Sequence, residues 1–149
     1  MSPMLPTADI SSIAHAIELA VAPVFLLTGI AGLLSVLINR LGRVVDRFRT
    51  LHGRHPDLPD EARLSAISEM AVLEKRTWLI HRAIALCTGG ALLVCMVIAT
   101  LFIGYLVSLP VALTIATLFI LAMVSLVAGL LFFLREVQLS TGYIHVLPR

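Results

Sequence analysis

Three apolar crossings are laid out along the chain, and polar residues mark where each ends. Leu19 to Ile38 provides 20 consecutive uncharged residues, enough for a helix to cross a hydrocarbon layer of about 30 Å. Ala83 to Leu134 provides 52 more, too many for one crossing and suited to two. The break between those two is expected in the segment Gly104 to Pro110, because Gly weakens a helix and Pro suits the first turn of the next. The expected spans are about 17–39, 80–106 and 110–134.

The helical pattern does not stop where the first apolar run stops. Leu41, Val44, Val45, Phe48 and Leu51 keep apolar spacings of three and four, so one helix is expected from about 12 to 51. Its N-cap is expected within Asp9–Ser12, and Pro23 is expected to loosen or kink it near Leu19. His52 to Asp57 reads as a turn. Asp57 can cap a second helix whose first turn holds Pro59, Asp60 and Glu61. Leu64, Ile67, Met70, Ala71, Leu73, Trp78 and Ile80 then run into the second span without a breaker. A helical hairpin over about 40–79 follows, with Leu41, Val44, Phe48 and Leu51 packed on Leu64, Ile67, Met70 and Leu73. Trp78 and Tyr105 bracket the second span and suit its two interfaces. Without repeats or linkers, residues 1–149 read as a single all-α membrane domain.

Charge gives this layout a direction. Of the 11 Lys and Arg residues, nine lie within residues 40–82, and Arg135 and Arg149 follow the last apolar run. Cytoplasmic loops retain Lys and Arg, so the N-terminus is expected outside, and both the hairpin and the C-terminus in the cytoplasm. No positive n-region precedes the first span and Glu18 interrupts its start, so it reads as a retained helix rather than a cleaved signal peptide. The chain is 59% hydrophobic and only 13% charged, against about 25% charged in soluble domains, which excludes the soluble class. A formal net charge of +2 gives no basis for nucleic-acid binding.

The candidate chemistry is sparse. Thr28, Gly32, Ser35 and Asn39 form a stripe of small residues that continues to Gly42 and Asp46. Such faces let helices approach closely in lipid, as a packing seam or as the lining of a path through an oligomer. Ala91, Cys95 and Ala99, and Ala122, Ser125 and Gly129, form similar faces. Arg40, Arg43, Asp46, Arg47, Arg82, Arg135 and Glu136 converge at one depth, the cytoplasmic mouth. Their expected role is a network that orients the helices, with an ion- or ligand-binding ring and anionic-lipid recognition as the alternatives. Glu18, with His15, is an ionisable candidate at the outer end of the first span. Cys87 and Cys95 stand about 12 Å apart along one helix, too far to bridge, and read as small packing residues. His52, His55, Asp57, Asp60, Glu61 and His81 match no metal spacing and read as a solvated turn and its flanks. No nucleotide, nucleophile or metalloprotease motif is present. The expectation is a protein without cofactor, metal or enzymatic activity.

Four segments carry a resemblance: Pro23 to Ile30, Asn39-Arg40-Leu41-Gly42-Arg43-Val44-Val45-Asp46-Arg47, Leu79 to Ile84, and Phe133 to Val137. Together they resemble domain-of-unknown-function family 2721, uncharacterised bacterial three-span membrane proteins. The resemblance covers roughly residues 12–137 and implies a bacterial inner-membrane location. It implies no activity, cofactor or partner. Three functions remain open at this point. One is a homo-oligomer in the bilayer whose first span lines an ion path. Another is a non-conducting adaptor whose basic hairpin docks a cytosolic or membrane protein. The third is a small transporter that uses Glu18.

Overall fold

The computed structural model describes residues 7–54, 59–107 and 110–142. The described residues form three helices: α1 (Thr7–Arg54), α2 (Asp60–Val107) and α3 (Ala112–Gly142). All three are long and apolar enough to cross a membrane, so the protein is an all-α integral membrane protein. At 48 residues each, α1 and α2 are about 72 Å long, more than twice the thickness of a hydrocarbon core.

The helix limits correct several expectations. α1 begins at Thr7, so Asp9–Ser12 lie inside it rather than capping it, and Pro23 lies within the helix. His52 and Arg54 complete its last turn, where positive charge complements the helix dipole. The expected cap at Asp57 lies outside the described residues. At the start of α2 the Arg63 N–H donates to the Pro59 carbonyl at 2.8 Å, and Asp60 and Glu61 occupy the first turn. α2 ends at Val107, inside the expected segment Gly104 to Pro110, although Gly104 itself is still helical. A Cβ at that glycine would overlap the Val111 side chain, so Gly104 serves to let the returning chain approach closely. Val111 then accepts from the Ile115 N–H at 3.0 Å, where α3 starts.

α2 lies between the other two and packs along both. Its buried positions explain why. Ala66, Leu73, Ile80, Cys87, Val94 and Leu101 recur every seven residues, with Ala83, Gly90, Val97 and Gly104 three residues after four of them. This is an a/d heptad seam, the geometry of nearly parallel, closely packed helices. On α1 the matching row is Ile30, Leu37 and Val44, which joins Leu73, Ile80, Ala83 and Cys87 in one core.

The seam against α3 is tighter. A Cβ at Gly129 would stand 2.8 Å from Cys87 Sγ, and one at Gly90 would stand 3.0 Å from Leu126 Cγ. The Ser125 hydroxyl donates across it to the Leu86 carbonyl at 2.8 Å. Ala122, Ser125 and Gly129 therefore face α2. Their partners there are not Ala91, Cys95 and Ala99, of which the last two are exposed. Cys87 is buried and Cys95 exposed, and both are free thiols.

Beyond the uncharged runs, α1 and α2 stay in contact through Val44, Phe48, Leu51 and Leu73. Leu64 and Ile67 do not join them and are 72% and 47% exposed. The core positions on this part of α2 are Ala66 and Leu73, which puts Leu64 and Ile67 on the far side of the helix.

Candidate functional site

Where the uncharged runs end, three helices bring charged side chains together. Arg40, Arg43 and Arg47 are spaced three and four apart, so α1 presents them on one side. Glu69, Leu73 and Arg76 do the same on α2, as do Glu136 and Ser140 on α3. These residues make a carboxylate clamp and, beside it, a groove.

Glu136 is the centre of the clamp and is fully buried. Arg76 donates to its Oε1 from Nε at 3.0 Å and from Nη2 at 2.8 Å. The same Nη2 donates to Ser140 Oγ at 3.1 Å, so a residue one turn along α3 fixes the guanidinium. Arg40 Nη1 lies 3.0 Å from Oε2. Among the described residues no donor is aligned for a hydrogen bond to that oxygen, and Arg40 holds it by charge. The Arg40 guanidinium also sits 5.4 Å above the Phe133 ring, a cation–π contact to the same helix. One carboxylate thus ties α1, α2 and α3 at a single level. An isolated buried carboxylate would be very costly, and two guanidiniums in hydrogen-bond or ionic contact offset that cost.

The groove has a volume of about 340 Å³ and is lined by Arg40, Arg43, Arg47, Glu69, Arg76 and Ser140 over a floor of Val44 and Leu73. On its outer edge Arg47 donates to Glu69 with both Nε (2.8 Å) and Nη2 (3.3 Å). Those hydrogen bonds, and then the charge of Glu69, hold the Arg47 guanidinium above its ordinary pKa, with desolvation opposing them. Arg43 lines the groove with no ionic partner among the described residues.

The other charged candidates lie elsewhere. Asp46 is exposed and does not line the groove, and its backbone carbonyl accepts from Thr50 Oγ1 at 2.9 Å. Arg82 rests its guanidinium 5.1 Å above the Trp78 ring on the outer face of α2. Arg135 lines a shallow cavity of about 380 Å³ along α3 alone. Depth along a helix brought these residues to one level, but direction around the helix separates them. Glu18 is exposed, 3.6 Å from His15 Nδ1, and encloses no site.

Sequence reading missed Glu69, Arg76 and Ser140, although a signal was present. Ala66, Leu73 and Ile80 set the heptad of α2, and Glu69 and Arg76 fall three residues after the first two, on the core side. Glu136 is likewise seven residues after Gly129 and fourteen after Ala122, both buried. A charge at a heptad core position is a charge with a partner.

The small-residue stripe is on the side of α1 away from the core row of Ile30, Leu37 and Val44. Thr28, Gly32, Ser35 and Asn39 are all exposed, and nothing would lie within 4 Å of a Cβ at Gly29, Gly32 or Gly42. Thr28 Oγ1 donates within the helix to the Val24 carbonyl at 3.4 Å. Among the described residues of one chain the stripe lines nothing. Among the described residues no group of three or more His, Cys, Asp or Glu could hold a metal ion, and His55 and Asp57 lie outside them.

No curated protein and no solved structure matches the chain. One family model does, over a range that starts and ends several residues later than the resemblance quoted above and takes in the clamp on all three helices. It is described as Protein of unknown function (DUF2721), it matches residues 20–146, and the chain belongs to that family.

Proposed function

We propose that the protein is a homo-oligomeric pore of the bacterial inner membrane rather than an enzyme. Its N-terminus lies outside, its C-terminus in the cytoplasm, and α1 lines the ion path. The observation that carries this reading is the open face of α1. Thr28, Gly32, Ser35 and Asn39 are all exposed on the side away from the core, and among the described residues nothing lies within 4 Å of a Cβ at Gly32. Helices in lipid meet through small residues, and hydroxyl and amide groups at bilayer depth need partners or water. A ring of identical chains gives each stripe both, as a seam at its edges and a hydrated wall at its centre. The apolar outer positions of α3, such as Leu113, Leu121 and Val124, then face lipid.

The experiment is subunit counting of the purified protein, followed by ion flux through liposomes that contain it. More than two copies and a measurable conductance support the pore. A monodisperse monomer, or an oligomer that passes no ion at any voltage, overturns it.

A second reading, a non-conducting adaptor, is favoured by one observation. Leu64 and Ile67 are exposed on the basic part of α2 beyond the uncharged run, where a partner protein could cover them. Replacing both by Ser would then abolish co-purification of a partner with the chain still inserted. Unchanged co-purification would remove this reading.

A further inference from the structure

We propose that the groove between α1 and α2 is a binding site for the phosphate of an anionic phospholipid headgroup, with Arg43 as its free cation. The first support is charge. Four guanidiniums, on Arg40, Arg43, Arg47 and Arg76, gather around one cavity. Glu136 is held by Arg40 and Arg76, and Glu69 by Arg47. Two carboxylates against four guanidiniums leave a net charge of about +2, and among the described residues Arg43 has no carboxylate of its own.

The second support is rigidity. Arg76 makes three hydrogen bonds to Glu136 and Ser140, and Arg40 is held between Glu136 and the Phe133 ring. Their guanidiniums are therefore placed before any ligand arrives, and an incoming anion needs to order only Arg43. A planar guanidinium presents paired N–H groups that match phosphate oxygens. The Ser140 hydroxyl lies on the same wall and offers a further polar contact. Glu69 closes the outer edge, which favours a ligand whose negative charge sits deeper, at Arg40 and Arg43.

The third support is depth, and it selects the source of the phosphate. Arg40 follows directly on the uncharged run of α1, and its partner Glu136 lies two residues past the uncharged run of α3. These two run ends meet at the clamp, which marks the edge of the hydrocarbon. Arg43 lies about 5 Å further along the helix, within a headgroup layer of about 5–8 Å per leaflet. A volume of about 340 Å³ accommodates a phosphate and its small polar substituent. At this depth lipid is the abundant phosphate, and basic pockets between membrane helices recognise such headgroups. The groove is lined by residues of one chain, none of them in the stripe of α1, so it does not depend on a pore.

The test is equilibrium retention of phosphatidylglycerol by the full-length protein in detergent, followed by native mass spectrometry, with phosphatidylcholine and inorganic phosphate as comparison probes. Saturable retention of phosphatidylglycerol is expected, about tenfold weaker in Arg43→Gln, the weight of a charge-assisted hydrogen bond. Arg49→Gln carries the same change of net charge outside the groove and is expected to retain the lipid as the unaltered protein does. Arg43→Lys keeps a cation and is expected to recover most of the binding, which separates the site from any folding defect. Equal losses in Arg43→Gln and Arg49→Gln would overturn the proposal in favour of diffuse surface attraction. So would retention of phosphatidylcholine equal to that of phosphatidylglycerol. Displacement of the lipid by millimolar inorganic phosphate would overturn the lipid assignment.

Discussion

Replacing Glu136 by Gln separates charge from shape at the point where the three helices meet. Gln fills nearly the same volume and can still accept both Arg76 hydrogen bonds at its oxygen. Its amide nitrogen, however, replaces the oxygen that faces Arg40 at 3.0 Å, so a donor meets a donor. Two guanidiniums are then left without their counter-charge. Removing one partner of a buried ion pair costs about 3–5 kcal/mol. The Arg40 and Arg76 side chains are 23% and 19% exposed, so water relieves part of that cost and the low end applies. The expected loss is about 3 kcal/mol, a roughly 150-fold change in the unfolding equilibrium.

Reversible unfolding in mixed micelles, followed by helical circular dichroism, measures this loss. The double variant Glu136→Gln with Arg76→Gln is expected to lose less than the sum of the single variants, since the groups act as one unit. Replacing Arg40, Arg76 and Glu136 together by apolar residues of similar volume should restore most of the stability. The exposed Arg47–Glu69 pair is the internal contrast, since Glu69→Gln there should cost no more than about 1 kcal/mol and less at high salt. A Glu136→Gln protein within about 0.5 kcal/mol of the parent would refute the clamp as the element that joins the helices.

Gly129→Ala places a methyl group against Cys87 Sγ and the Ala83 carbonyl, and is expected to cost about 1–3 kcal/mol in the same unfolding assay. Cys87→Ala in that background should recover part of the loss. On α2 beyond the uncharged run, Leu73→Ala is expected to cost about 2–5 kcal/mol as a buried truncation. Leu64→Ser and Ile67→Ser, both at exposed sites, should each stay within about 0.5 kcal/mol of the parent.

The sequence made the number of spans and the continuity of the first two helices legible, because uncharged runs and apolar spacings report burial directly. Helix ends were less legible. Gly104 has the composition of a break, yet it is buried inside α2 where Val111 must approach. Pairing was harder still. Leu64 and Ile67 share an apolar spacing with their neighbours, but the seven-residue row through Ala66 and Leu73 decides which side of α2 is covered. The candidate site divided in the same way. Arg40, Arg43, Arg47 and Glu136 stood out as charges at one depth. Arg76 and Glu69 did not, because charged residues inside a long basic stretch look solvated until their heptad position is counted. Asp46, Arg82 and Arg135 share the depth, but not the direction around their helices that would bring them to the groove.

The most direct test of an ion path along α1 is flux through liposomes carrying Ser35→Cys in a protein whose Cys87 and Cys95 are replaced by Ala. Flux is measured before and after a charged thiol reagent, beside Val124→Cys on α3 as the lipid-facing comparison. The expected result is a flux that the reagent blocks at Ser35→Cys and leaves unchanged at Val124→Cys. Absence of flux from both proteins, or a flux indifferent to modification at Ser35→Cys, would contradict a pore lined by α1.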